Sequence, residues 1–289
     1  MSQTAPSSLY GFADSATAFD KRHPQWTAVM PRLGALINLA FTQTQVMKTP
    51  IDKFVYFYGN LVAEDFMELF LMAVNGYGFA AMKLLRSMYE HTVTLKYLHE
   101  HPDELEAFFD FDRVQQYKLT KQIMDTFGEG ALPQETVATT ERKYAEVKDK
   151  FMVKSCKSKT CSEQRVGATW SKLDFVSMAK RAGDIGSLIV PSYFEPLRHT
   201  HSTFRAMTER LDMDDNQMGF RRESQPEKAD QALMTAHNCL LAALEVQKER
   251  FNIPGLEEAL QRSIRDWALV WSPESLAPAQ TEATESSSE

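Results

Sequence analysis

The run GFAAMKLLRSMYEHTVTLKYL, residues 78–98, holds no proline, no glycine after its first residue, and apolar side chains all the way round a helical wheel. At about 100° per residue, one face collects Leu84, Met88, His91, Leu95 and Leu98, and the opposite face Phe79, Met82, Arg86, Tyr89, Glu90, Val93 and Tyr97. A helix apolar on both sides is buried at the centre of a bundle. The preceding stretch, 51–74, has the same periodicity and reaches residue 78 through Asn75-Gly76-Tyr77-Gly78, so the two form an antiparallel hairpin. The expected fold is therefore all-α, an irregular multi-helix bundle around a central buried helical hairpin, with disordered termini.

Prolines punctuate the rest. Pro is tolerated in a first helical turn, where its missing N–H has no partner to lose, and Pro24, Pro50, Pro102, Pro133, Pro226 and Pro254 each precede a periodic segment. Thr49 with Asp52, Ser171 with Asp174 and Ser224 with Glu227 have capping-box spacing. These signals predict helices at about 24–47, 51–74, 78–100, 103–127, 134–152, 172–182, 192–208, 227–251 and 256–269. No alternation of apolar and polar residues is long enough to require a sheet, and no repeat of fixed period is present.

Composition agrees. Twelve Gly and twelve Pro in 289 residues are about 8%, below the usual ~12%, which disfavours a turn-rich β sandwich or barrel. Three cysteines, Cys156, Cys161 and Cys239, are too few and of the wrong parity for a disulfide framework. They fit a reducing, cytoplasmic compartment. The first residues lack the basic head and apolar run of a signal peptide. The apolar stretch from Phe54 to Met82 is interrupted by Glu64, Asp65 and Glu68, so no membrane span is expected. From Ser272 the chain has four Glu and no Lys or Arg, too polar to bury a core. The expected organisation is a flexible segment at 1–22, one helical domain at 23–271 and a disordered acidic tail at 272–289.

Chemistry concentrates in the hairpin. Arg86, Glu90 and His91 are polar groups in or beside a core, where each needs a partner. With equal rise on both helices, position 68 lies level with about 85 and position 64 with about 89, so acidic residues of the first helix have the height to meet Arg86. One reading is a structural network, Arg86 paired with Glu90 one turn on and with a carboxylate across the hairpin. The other is catalytic, because a guanidinium beside an imidazole can cleave RNA without metal: His moves the proton and Arg steadies the phosphate charge. A second constellation, Glu195-Pro196-Leu197-Arg198-His199-Thr200-His201-Ser202, sits early in a helix by its prolines. There the N-terminal dipole favours neutral imidazole. His199 and His201 point to different faces; one reading makes one a core residue and the other exposed, and the sharper one brings His201 to Arg86 and Glu90.

Arg86-x4-His91 resembles the motif of the HEPN superfamily (higher eukaryotes and prokaryotes nucleotide-binding), small α-helical domains that act as metal-independent RNases in toxin and phage-defence systems. That resemblance implies a homodimer, since the Arg and His sites of such domains meet across an interface. It departs at Ser87, where the motif usually has Asn, Asp or His. Over about 55–250, the run at 78–98, the Trp170 segment and YFEPLRHTHSTF at 193–204 are similar to a bacterial all-helical family catalogued as domain of unknown function 5677. This second resemblance carries over Arg86, Glu90 and His201.

The leading expectation is a HEPN-like, metal-independent endoribonuclease or effector of a bacterial defence or toxin system. His91 is its acid/base, Arg86 its phosphate stabiliser, Glu90 the group orienting Arg86, and His201 a second acid/base. The alternatives are a non-catalytic helical interaction protein, or a small-ligand sensor with a pocket between the central helices. No Gly-rich phosphate loop, nucleophile elbow or dinucleotide fingerprint is present. No metal or cofactor is expected: facing Glu-x-x-His pairs are absent, and Cys156 and Cys161 have no second pair nearby. The net charge of −7 conceals residues 141–181, where eleven Lys or Arg stand against five acids. That segment could follow the backbone of an RNA.

Overall fold

The computed structural model describes residues 11–12, 14–42, 46–155, 163–201, 203–214, 217–221 and 223–272. Its elements are helical apart from two short ribbons, so the chain is all-α. Two compact units divide it, one drawn from residues up to Lys96 and from Ala182 onward, the other from Tyr97 to Arg181. The expectations for the first ten residues, for Cys156 and Cys161, and for the tail from 273 lie outside the described residues.

In the first unit α1 (Ser15–Arg22) and α2 (Pro24–Phe41) lead into α3 (Pro50–Val74) and α4 (Gly78–Glu100), whose last residues belong to the second unit. The α3 start has the reciprocal cap its sequence announces: the Thr49 hydroxyl accepts the Asp52 N–H, and the Asp52 carboxylate accepts the Thr49 N–H. The α4 wheel is buried on both sides, with Met82, Leu85, Met88, Tyr89, Val93 and Leu95 fully enclosed. α10 (Pro226–Arg250) packs along α3, and α11 (Leu256–Val270) packs on α2 and α10. Gly59 permits the close approach of α3 and α10. The buried Gln247 amide donates to the Val55 carbonyl at 2.7 Å, and a Cβ at position 59 would fall 2.2 Å from that amide nitrogen.

An apolar and aromatic knot closes one part of this unit. Trp26 stacks on Phe70 at 5.8 Å and meets Trp271 at 5.6 Å and His237 at 5.3 Å. The Trp271 N–H donates to His237 Nδ1 at 3.3 Å, which leaves the ring proton on Nε2. Burial pushes the His237 pKa down to about 3. At the entry, Asp230 receives both Arg22 nitrogens, and His23 Nε2 lies 3.0 Å from the same carboxylate.

The segment following the second unit departs from the single helix expected at 192–208. A 3₁₀ turn at Gly183–Leu188 leads to a π-helical stretch, Val190–Phe194, and then to α8 (Glu195–Thr200). The chain becomes extended at His201, and Thr203 caps a new short helix, α9 (Phe204–Thr208), by accepting the Ala206 N–H. Pro191 and Pro196 explain the irregular entry, because neither has an N–H for an interior helical bond. Strands β3 (Leu211–Asp214) and β4 (Gln217–Phe220) then pair antiparallel, Leu211 opposite Phe220.

The second unit is built on the hairpin of α5 (Leu105–Phe127) and α6 (Gln134–Val147), with ribbon strands β1 (Met152–Lys154) and β2 (Gln164–Val166) and the short α7 (Phe175–Arg181). Its buried cluster is small: Phe111, Val114, Val147 and Phe151. Tyr117 and Tyr144 stack at 3.9 Å across the hairpin, and Lys150 binds both Glu106 and Asp110 at 2.6 Å. Among the described residues no helix is long and apolar enough to cross a membrane.

Candidate functional site

The polar groups of α4 separate into two centres, both within the first unit. Arg86 and Glu90 are one turn apart, and the Arg86 Nε donates to Glu90 Oε1 at 2.9 Å. The guanidinium carbon stands 4.8 Å from the centroid of the Tyr193 ring, a cation–π distance. Arg86 Nη1 is 3.4 Å from His201 Nε2. A guanidinium has donors only, so this contact makes His201 the acceptor: a neutral imidazole with its proton on Nδ1. Arg86 is one-fifth exposed and His201 lies open to solvent. The structure thus brings Arg86, Glu90 and His201 together.

His91 lies elsewhere. Five residues after Arg86, it is turned about 140° around the helix, and among the described residues no hydrogen bond joins the two. His91 Nδ1 is 2.6 Å from Asp65 Oδ2 on α3, and its ring meets Tyr58 edge-on at 5.8 Å. The carboxylate takes the Nδ1 proton and leaves Nε2 as the basic nitrogen of a neutral ring. Burial, with the Asp65 charge added, raises the Tyr58 phenol to about 12, so it stays protonated. The carboxylate expected to cross the hairpin to Arg86 serves His91 instead. Glu64 and Glu68 face solvent on α3, and Asp65 alone of the three points toward α4.

The two later histidines are also sorted. α8 ends at Thr200, so His199 stands in its last turn and His201 just beyond it, not in a first turn as the prolines imply. His199 is buried against the Phe79 ring at 4.8 Å, with Nε2 3.3 Å from Glu209 Oε2. Burial holds its pKa below the ordinary value, against the opposing charge of Glu209. Burial works to raise Glu209, but its bond from Arg205 and the charges of His199 and Lys228 hold it low. The core partner is a carboxylate where a backbone carbonyl was expected.

Among the described residues no group of three or more His, Cys, Asp or Glu is placed to hold a metal ion. The basic residues of 141–181 belong to the second unit; Lys150 is committed to Glu106 and Asp110, and positions 156–162 lie outside the described residues. Asp65 is the member of these centres that sequence spacing does not single out, since a one-residue difference from Glu64 decides which carboxylate faces α4.

Residues 62–218, more than half of the chain, match the Family of unknown function (DUF5677). The chain belongs to this family. The matched range contains Asp65, Arg86, Glu90, His91, Tyr193 and His201. No curated protein and no solved structure gave a match.

Proposed function

We propose that the chain is a HEPN-like, metal-independent endoribonuclease, a cytoplasmic effector of a bacterial defence or toxin system. The observation that carries this reading is the Arg86 guanidinium, held by Glu90 and Tyr193 within 3.4 Å of an exposed, neutral His201 imidazole. In the proposed reaction His201 Nε2 takes the proton of a ribose 2′-hydroxyl. The oxygen attacks the adjacent phosphorus, and Arg86 stabilises the charge on the phosphoryl oxygens. The P–O5′ bond breaks, the leaving oxygen takes a proton, and a 2′,3′-cyclic phosphate remains. Glu90 is a positioning residue for Arg86. His91, oriented by Asp65, is the second acid/base; its position on another side of α4 fits a homodimer in which sites from two copies meet. The basic segment at 141–181 supplies an electrostatic track for RNA.

The test is incubation of the purified chain with a mixed RNA pool in excess chelator, with mapping of the product ends. Fragments with cyclic phosphate termini are expected. Arg86→Ala and His201→Ala should each lower the rate by about 10²-fold or more, with melting temperatures close to the parent. Intact RNA under all conditions sinks the proposal.

A specific observation favours a second reading, a non-catalytic interaction protein. Val190, Phe194, Phe204, Met207 and Phe220 are all exposed in the segment around α8 and α9, an apolar surface of the kind that partner proteins cover. On that reading Arg86 and Glu90 form only an ion pair, and the RNA assay separates the two.

A further inference from the structure

We infer that the groove between α10, α11 and the turn Gly183–Leu188 is a binding site for a small organic cation with an apolar body. The groove encloses about 360 Å³, within the range of small-molecule sites. Asn238, Leu241, Ala242 and Glu245 line it from α10. Their spacing of three, four and seven puts them in one stripe, and seven residues of rise give the groove a length of about 10 Å. Ile264 and Trp267 form the facing wall on α11, and Ile185 and Leu188 line it from the turn. The Trp267 N–H is spent on the Met234 carbonyl at 3.4 Å, so the indole lends the groove its carbon surface.

The charge of the lining selects the ligand. Asp184 and Glu245 stand against Lys96 alone, an excess of one negative charge. Among the described residues the side chains of Asp184, Glu245 and Asn238 make no hydrogen bond or ion pair within the chain. Carboxylates with no partner beside an aromatic wall are the elements that recognise an ammonium group on a hydrophobic frame. An anion would meet two carboxylates, and a purely apolar ligand would leave them without a countercharge. The wall is also preformed: the buried Tyr89 hydroxyl donates to the Ile185 carbonyl at 3.1 Å and fixes the turn on α4.

Calorimetric titration of the full chain with three indoles of similar shape tests this: tryptamine as the cation, tryptophol as its neutral counterpart and indole-3-acetate as the anion. Tryptamine should bind in the millimolar range or tighter, tryptophol about tenfold more weakly, and indole-3-acetate without measurable heat. The surface pair Asp184→Asn with Glu245→Gln should cost tryptamine about tenfold or more, and Ala242→Phe should abolish binding by filling the groove. If Ala242→Phe fails to fold, the two carboxamide substitutions still decide the matter. Absence of heat with tryptamine at several millimolar, equal binding of tryptophol, or unchanged affinity in the carboxamide double variant would overturn the inference.

Discussion

His237 shows how a single buried side chain sets the acid response of the protein. Its pKa is held near 3 by burial, whereas in the unfolded chain it returns to about 6.5. Between these values the unfolded state binds a proton that the folded state refuses, so stability is fully present above about pH 6.5 and falls as pH drops toward 3. The slope for one such group is about 1.4 kcal/mol per pH unit. Chemical denaturation from pH 8 to 4 should show a plateau followed by this decline. His237→Phe should flatten the part His237 contributes while losing the Trp271 bond. His199, also lowered by burial, adds to the decline in the same direction. The residue scale also marks the limit of sequence reading. The Arg86–Glu90 contact follows from spacing of four on a helix, and the Asp65–His91 contact does not, because it depends on the rotation of one helix against another.

At the scale of elements, the close crossing of α3 and α10 depends on one missing side chain. Gly59→Ala gains helix propensity of about 1 kcal/mol, but the added carbon would meet the Gln247 amide at 2.2 Å and the Phe41 ring at 2.8 Å. The helices must separate, or Gln247 must release Val55. A net loss of about 1–3 kcal/mol is expected, read as a drop in melting temperature, with Gly59→Ala in a Gln247→Ala background losing less than in the parent. The long helices were legible because prolines, caps and a wide apolar surface agree: α3, α4, α5, α10 and α11 begin and end within about two residues of expectation. Helix α1 was not, because Phe19 is the one residue of this short, polar segment that is buried. The break at His201 was hidden too. No glycine or proline marks it, and what stops the helix is the competing cap offered by Thr203. The segment 172–182 starts later than predicted for a related reason: the Asp174 carboxylate accepts the Ser177 N–H, which makes Asp174 itself the start signal of α7.

Across the whole molecule the burial is uneven. The first unit encloses its α4 wheel completely, while the second rests on four buried side chains and leaves Leu119 and Phe127 exposed on α5. Local opening costs less where fewer apolar contacts are lost. Amide hydrogen exchange should therefore be fastest, among the long helices, in the last two turns of α5 and the first turns of α6, and slowest in α3, α4 and α10. Equal protection across both units would contradict this assignment. Composition foresaw the helical class from few glycines and prolines. It carried no sign of the division at residues 96 and 182, because α4 runs through the first boundary without interruption.

The π-helical stretch at Val190–Phe194 makes the candidate centre sensitive to chain length. A π turn holds one residue more than an α turn, and it lies between two points tied to α4, Ile185 through Tyr89 and His201 through Arg86. Deleting Val190 should let the stretch wind as ordinary α-helix and swing everything after it by about 100°, so that His201 leaves Arg86 while each residue of the pair is still present. Relatives that share the pair should then tolerate substitutions between 186 and 200 far better than insertions or deletions. A Val190 deletion that folds yet keeps the Arg86–His201 contact in its own structure would show that the extra residue has no such role.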